Sequence, residues 1–257
     1  MRKGDAAGID INAREINNKI LSMRLADSSY GDIQNVLARD WCLVKISHQP
    51  ALSLVSSSSS DLSWTVLDIY YDNVTAWYYA YGDWQWNNQN YKSEVNPGCD
   101  SDVDYHDGGL DGTGLRFSGG EFQIRPGGFS ATGFGNSAYN SYINDYGTMN
   151  LNLSDANQYG VTFTGQDLVT KMVDDQGLCP GPWDDSMWGG SITVGFDLLN
   201  GSCTNSQLFG GYFHTWSSTS INSIGAYDNG FSVGWISQGH DWSKAGVGET
   251  AQICNTH

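Results

Sequence analysis

The chain has 257 residues, of which 39% are hydrophobic and only 16% are charged, and it contains 32 Gly, 14 Tyr and 10 Trp. This composition is typical of strands, turns and loops, and it argues against a helical enzyme or a coiled coil. The formal net charge of −16 repels phosphate backbones and anionic headgroups, so we expect no nucleic acid and no acidic membrane as partner, whereas cations and neutral ligands stay open.

The charge divides the chain into two unlike parts. Residues 1–48 contain seven Lys/Arg and six Asp/Glu, a net charge of +1, and the other 209 residues contain five and 22, a net charge of −17. A serine run, Ser56–Ser60, lies between them and cannot build a core. We therefore predict a helical segment over residues 1–48, a serine-rich linker over 49–61 and an acidic β domain over 62–257.

The N-terminal segment is predicted to form a helical hairpin. Apolar residues recur at helical spacing within Ile16–Leu25 and again within Ile33–Leu37. The run Asp27–Ser29 between them supplies residues that commonly cap the start of a helix. No stretch of the chain has the apolar length of a membrane span.

Part of this segment, Ser29–Val44, resembles a helix-turn-helix with Ala38 at the turn. The resemblance implies a second helix that reads DNA, but that helix would present Trp41, Cys42 and Leu43 where base-reading polar or basic side chains are needed. We therefore favour an amphipathic hairpin that packs on the β domain or on another copy of the chain. The second option predicts self-association through the N-terminal helices.

From residue 62 onward, short apolar runs alternate with Gly, Asn and Asp, which is typical of a mainly β fold: an antiparallel β-sandwich or jelly-roll-like domain. The spacing predicts one hairpin over residues 114–125, turning at Gly119–Gly120. It predicts another over residues 221–236, turning at Asp228–Gly230, where Asn-Gly accepts positive φ angles. Residues 167–175 fit a helical turn or a strand equally well.

The cysteines indicate an oxidising compartment. Four of the five, Cys99, Cys179, Cys203 and Cys254, lie in the β domain, and Cys42 lies in the helical segment. We predict disulfides between Cys179 and Cys203 and between Cys99 and Cys254, with four buried thiols as the alternative. We accordingly expect a secreted, extracellular protein, although the N-terminus has charges where a signal peptide has an apolar core.

One stretch of the β domain is densely acidic. Asp100, Asp102, Asp104 and Asp111 occupy the first, third, fifth and twelfth positions of an EF-hand-like loop. We predict these four carboxylates as ligands of a structural Ca²⁺ ion, although Tyr105 occupies the position where that loop has Gly. The alternative is a solvated acidic turn.

Histidines offer a second route to a metal site or an acid–base pair. His106, His214 and His240 could combine with Asp107 or Asp241, but no HxH or HExxH spacing supports this.

A polysaccharide-cleaving enzyme would need two carboxyl groups in one cleft, with Glu121 as one candidate. The sequence contains no GxSxG, P-loop or dinucleotide-binding motif, so the balance is against an enzyme.

Nine of the ten tryptophans lie in the β domain. Trp183 and Trp188 are bracketed by Gly and Pro and flank Asp184 and Asp185, so they are predicted to be exposed. Indole faces stack on sugar rings and carboxylates accept hydrogen bonds from hydroxyls, so these four residues are the predicted ligand-binding residues. The alternative is that the tryptophans fill the sandwich core.

Three functions are consistent with these patterns. The first is an extracellular β-sandwich that binds carbohydrate, or another neutral ligand, and carries a structural calcium ion. The second is an assembly subunit of an appendage, shell or particle whose N-terminal helices dock to neighbours. The third is a polysaccharide-cleaving enzyme on a jelly-roll scaffold.

Overall fold

The computed structural model describes residues 12–47, 62–87, 104–119, 122–137, 148–171, 183–199, 204–215, 219–236 and 241–253. Within these ranges the helices are α1 (Ala13–Leu25) and α2 (Tyr30–Trp41). The strands are β1 (Leu43–Lys45), β2 (Leu62–Asp72), β3 (Tyr78–Trp86), β4 (Tyr105–Ser118), β5 (Phe122–Ser137), β6 (Thr148–Asn150), β7 (Asn152–Asn157), β8 (Gly160–Lys171), β9 (Trp183–Leu198), β10 (Thr204–Thr215), β11 (Ser220–Tyr227), β12 (Gly230–Ile236) and β13 (Asp241–Ile253).

Eleven strands form one antiparallel sheet that divides into two layers at β9. One side of β9 pairs with β5. Its other side pairs with β8 at residues 183–185 and with β3 at residues 189–196. One layer therefore contains β1, β2, β3, β9, β5 and β6, and the other contains β7, β8, β4, β10 and β13. The predicted mainly β, antiparallel sandwich after a short helical segment is confirmed.

The space between the two layers is filled by an aromatic-rich core. Strand alternation points Leu67 and Ile69 of β2 into this core, while Asp68 and Tyr70 point to the opposite face. Large buried rings from both layers meet here: Trp84, Trp86, Phe117, Phe122, Phe163, Phe196 and Tyr212. Removing these rings from water is the main favourable contribution to the stability of the sandwich.

Both helices cover the outer face of the first layer with their apolar sides. Ile16 and Ile20 of α1 and Ile33 and Leu37 of α2 pack with tyrosine rings of β2 and β3. Asn12 and Glu15 form a capping box at the start of α1, and Ser29 caps the start of α2. The hairpin therefore packs on the β domain of its own chain.

Buried polar contacts also fix the helical segment to the sheet. The Asn17 side-chain amide donates to Thr132 Oγ1 and accepts from Thr193 Oγ1, each at 3.0 Å. All three side chains are buried. This pairing joins α1 to β5 and β9 at once.

Two ion pairs lie at the same interface. Arg24 Nη1 is 2.5 Å from Asp83 Oδ2, and Lys45 Nζ is 2.6 Å from Asp68 Oδ1. Burial raises the pKa of the Asp83 carboxyl above its ordinary value, and the Arg24 charge only partly opposes this rise. Asp83 is therefore held in the folded protein at an electrostatic cost.

The helix-turn-helix interpretation is wrong. Helix α2 continues through Ala38 to Trp41, and Cys42 then adopts a left-handed conformation with φ 54° that ends the helix. The next residues form β1, which pairs with Tyr70–Asp72 of β2. Residues 43–45 are thus a strand of the sandwich and not a DNA-reading helix.

The strand pairings confirm one predicted hairpin and correct the other. Strands β11 and β12 pair from Tyr227 and Gly230 outward, although neither Asp228 nor Asn229 has a positive φ angle. The predicted hairpin over residues 114–125 is wrong, because β4 and β5 belong to different layers. Strand β4 pairs with β8 and β10, whereas β5 pairs with β9. Of the ambiguous residues 167–175, those up to Lys171 are strand.

The β11–β12 hairpin covers the outer face of the second layer. Ile221 and Ile224 of β11 pack with Phe213 of β10. Thr162 Oγ1 of β8 donates to the Ile224 carbonyl at 2.8 Å.

Neither α1 nor α2 is long and apolar enough to cross a membrane, and these are the helices within the described ranges.

Candidate functional site

A buried cluster of ionisable side chains lies inside the sandwich, on three neighbouring strands. Asp111 lies on β4, Asp167 on β8 and His214 on β10, and β4 is the middle strand. The register pairs Asp111 with Gly165 and Gly112 with Phe213, so strand alternation directs all three side chains to the same face. Each of the three residues is at most 1% exposed.

The Asp111 carboxylate is the most strongly held group of the cluster. Oδ2 accepts a hydrogen bond from the Tyr212 hydroxyl at 2.5 Å and lies 2.8 Å from His214 Nδ1. Oδ1 accepts from the Thr215 amide at 2.9 Å and from the Thr215 hydroxyl at 3.2 Å. Hydrogen bonds of this kind offset the free-energy cost of burying a carboxylate.

This contact also sets the orientation of the His214 ring. An ionised carboxylate only accepts hydrogen bonds, so an ionised Asp111 pairs with an Nδ1–H of His214, and in the neutral ring Nε2 is then the nitrogen with the lone pair. The Trp86 ring meets the imidazole edge-on, with centroids 5.1 Å apart and planes at 78°. The imidazole is therefore held in one orientation by a carboxylate on one side and an indole on another.

One potential ligand atom from each of Asp111, Asp167 and His214 lies within 4.8 Å of the other two. Two ligand atoms at about 2.1 Å from one ion are at most about 4.2 Å apart. The three ligand atoms are therefore close to the spacing that a single metal ion requires.

An irregular segment of β4 connects this cluster to β10 and β11. The β4–β8 register shifts between His106 and Leu110, and Gly108 has a φ angle of +73°. A Cβ atom at Gly109 would lie 2.1 Å from the Thr219 carbonyl oxygen, so only glycine permits this approach. The Gly109 amide donates to Thr215 Oγ1 at 3.2 Å, which ties the irregular segment to the residue that holds Asp111.

The predicted calcium ligands are only partly described. Asp100 and Asp102 lie outside the described residues. Asp104 is exposed and directly precedes β4, while Asp111 is buried six residues after Tyr105, the first residue of that strand. The joint role of these four carboxylates as calcium ligands stays a prediction.

The other described residues predicted for a metal site or an acid–base pair do not lie together in one site. His214 is in the cluster, His106 is exposed on β4, and Asp107 is 2% exposed. His240 and Glu121 lie outside the described residues. The structure thus joins His214 to Asp111, a pairing that the sequence spacing did not indicate.

The predicted carbohydrate-binding residues lie at the start of β9. Trp183, Asp184 and Asp185 are strand residues by their backbone pairing, and their side chains lie outside the described part of the structure. Val169 of β8 pairs with Asp185 on one side and with Tyr105 on the other. The start of β9 and Tyr105, which lies in the middle of the acidic stretch, are therefore one strand apart, at the same end of the sandwich.

The tryptophans divide between core and surface. Trp188 is half-buried, packs against the core and lies edge-on to Phe134, with centroids 6.1 Å apart. Trp84 and Trp86 are fully buried. For Trp84 and Trp86 the core interpretation is correct, and a ligand-contacting role stays a prediction for Trp188 and Trp183.

Sequence reasoning missed Asp167. Its signal was the alternation Phe163, Gly165 and Asp167, which continues the inward face of β8 as far as a charged residue. A charged residue at an inward strand position is the kind of exception that indicates a site. The signal was hidden because residues 167–175 fitted a helical turn equally well.

No family model matches this chain, and no curated protein matches it. A solved structure of AvmM, which is described as catalysing macrocyclization in alchivemycin A biosynthesis, is similar over 66% of this chain and 78% of that chain, with 13% sequence identity. The TM-score of this match is 0.20, so it carries no argument about fold or function.

Proposed function

We propose that the protein is a metal-binding β-sandwich recognition module in which Asp111, Asp167 and His214 hold a divalent metal ion. The observation that carries the proposal is the convergence of three buried ligand groups from three adjacent strands within 4.8 Å. The ion would organise the end of the sandwich at which β4, β8 and β9 meet.

Electrostatics support this proposal. Two carboxylates and an imidazole inside an aromatic core carry a large desolvation penalty, and like charges at this separation repel each other. A divalent cation offsets both costs. Tyr212 and Thr215 donate hydrogen bonds to the Asp111 carboxylate, and donors of this kind orient carboxylates that bind metal ions.

The donor set favours a particular class of ion. Calcium in proteins takes six to eight oxygen ligands, whereas imidazole nitrogen suits Zn²⁺ and other first-row transition metals. The triad offers one ring nitrogen with two carboxylates, so we expect Zn²⁺ or Mn²⁺ to bind here more tightly than Ca²⁺. A separate calcium ion at Asp100, Asp102, Asp104 and Asp111 would compete for Asp111.

Metal content tests the proposal. The protein is exposed to Zn²⁺, Mn²⁺ or Ca²⁺, dialysed and analysed by mass spectrometry for bound metal. We expect about one equivalent of a transition metal in the wild type and in H106A, and none in H214A or D167N. H106A is the matched control, because His106 is an exposed histidine on the strand that carries Asp111.

The variant D104N separates the triad from the predicted calcium loop. If the acidic loop holds the ion, D104N loses it and H214A keeps it, which contradicts the triad. A wild type that binds none of the three ions while its melting temperature is unchanged by a chelator would reject both sites.

Carbohydrate recognition at the same end of the sandwich is the second candidate function. It is supported by the register through Val169, in which the start of β9 and the acidic stretch are one strand apart, and by the half-buried Trp188. A half-exposed indole suits the face of a sugar ring, and carboxylates accept hydrogen bonds from sugar hydroxyls. The predicted extracellular location belongs to this second candidate function and stays a prediction.

A glycan array tests the second candidate. We expect binding that is lost in W188A and kept in W77A. Trp77 is the matched control, because it is also half-buried but precedes β3 at the opposite end of the sandwich. A blank array from a correctly folded wild type, or equal losses in both variants, would count against carbohydrate recognition at this end.

A further inference from the structure

A cleft lies on the surface between the first turn of α1 and strands β5, β7 and β8. Its volume is about 350 Å³. Phe129, Leu151 and Phe163 form an apolar lining, and Phe129 and Phe163 meet edge-on with centroids 6.2 Å apart. The cleft is separate from the buried triad and is large enough for a small organic molecule.

The charge of this cleft differs from that of the rest of the molecule. The protein has a formal net charge of −16, yet none of the ten described residues that line the cleft is acidic. Arg14 is the charged residue among them, and it forms no ion pair with any described residue. The first turn of α1 adds the positive end of a helix dipole, which Glu15 offsets in part by accepting from the Asn12 amide.

We infer that this cleft binds a small organic anion with an apolar body, such as an aryl or alkyl carboxylate. The guanidinium of Arg14 would pair with the carboxylate, and the apolar lining would cover the ring or chain. A neutral molecule of the same shape would keep only the contact with the apolar lining. The inference is independent of the metal triad, because none of the triad residues lines the cleft.

Paired probes test this inference on the full chain: 2-naphthoate, and 2-naphthamide as the uncharged analogue of the same shape. We expect calorimetry to show that naphthoate binds about tenfold more tightly than naphthamide, because a hydrogen bond to a charged group adds to the shared apolar contact. Methyl resonances of Leu151 and Ala131 should shift on titration with naphthoate.

Two arginine variants locate the charge. R14A should remove the preference for naphthoate while leaving the binding of naphthamide unchanged. R39A should keep the preference, because Arg39 is exposed and paired with Asp40 on the outer part of α2. Both arginines are exposed, so neither variant should change the melting temperature.

A third variant tests the lining. L153E places a carboxylate at the rim of the cleft, where Leu153 is 46% exposed, and should weaken naphthoate more than naphthamide. The inference is overturned if neither probe binds at millimolar concentration. It is also overturned if the two probes bind equally to the wild type, or if R14A keeps the preference.

Discussion

Asp111 owes its position to residues about a hundred positions further along the chain. Tyr212, His214 and Thr215 are 101, 103 and 104 residues away in sequence, and all contact its carboxylate. Sequence reasoning identified Asp111 as a ligand and His214 as a metal-binding candidate, but for different sites. Only the register of β4 and β10 brings them together, and register between distant strands is not encoded in local spacing.

Asp83 leads to a prediction about pH. The ordinary pKa of its carboxyl is 3.8, and burial raises it in the folded protein. The folded state therefore holds the proton more tightly. This contribution to stability is complete below the unfolded pKa and is lost as the pH rises through the folded value.

The variant D83N cannot ionise, so it should not lose this contribution. As the pH rises above about 3.8, we expect the free energy of unfolding of D83N to increase relative to that of the wild type. D83N should therefore become the relatively more stable protein. Urea unfolding at a series of pH values measures this. D228N, which alters an exposed turn, is the control, and parallel curves for D83N and wild type would contradict the prediction.

At the scale of elements, the two helices were predictable and their polar anchor was not. The apolar spacing of Ile16, Ile20 and Ile33 correctly indicated an amphipathic hairpin. Asn17 looks like an ordinary surface residue in the sequence, because its partners on β5 and β9 are more than a hundred residues away. The helix-turn-helix resemblance failed because Cys42 ends α2 and directs the chain into a strand.

Asn17 should contribute measurably to docking of the helices. N17A leaves the buried Thr132 and Thr193 hydroxyls without this partner, and we expect a loss of about 1–3 kcal/mol in the free energy of unfolding. N18A changes the exposed neighbouring residue and should cost far less. Chemical denaturation of the two variants measures the difference, and equal losses would show that the Asn17 contacts do not contribute to stability.

The same docking bears on the assembly-subunit hypothesis. The apolar faces of α1 and α2 are covered by the tyrosines of β2 and β3 in the same chain. Docking to a neighbouring subunit would therefore have to use the outward sides of the helices. Self-association stays a prediction.

At the scale of the whole molecule, composition and binary pattern were sufficient to predict an antiparallel sandwich. They were not sufficient to predict its layers. Strand β9 pairs with β5 on one side and with β8 and then β3 on the other, so this one strand connects the two layers. An alternation of period two predicts which residues face inward, but it does not predict which strands pair. The wrong hairpin prediction over residues 114–125 arose for this reason.

Disulfide content gives a test of the predicted extracellular location. Cys42 is a half-buried free thiol, and the other four cysteines lie outside the described residues. We expect alkylation of the denatured, unreduced protein to label Cys42 alone. Peptide mapping should then find Cys179 joined to Cys203 and Cys99 joined to Cys254. Labelling of all five thiols in protein prepared under oxidising conditions would refute the disulfides.

In the proposed metal site, Asp111, Asp167 and His214 hold one ion inside the sandwich. Crystals grown with Zn²⁺, and diffraction data collected on both sides of its absorption edge, would locate that ion. We expect one strong anomalous peak among the three side chains, at about 2.0–2.2 Å from a carboxylate oxygen and a histidine nitrogen. Well-diffracting crystals with no anomalous peak at the triad, or with the only peak among the aspartates that precede β4, would contradict it.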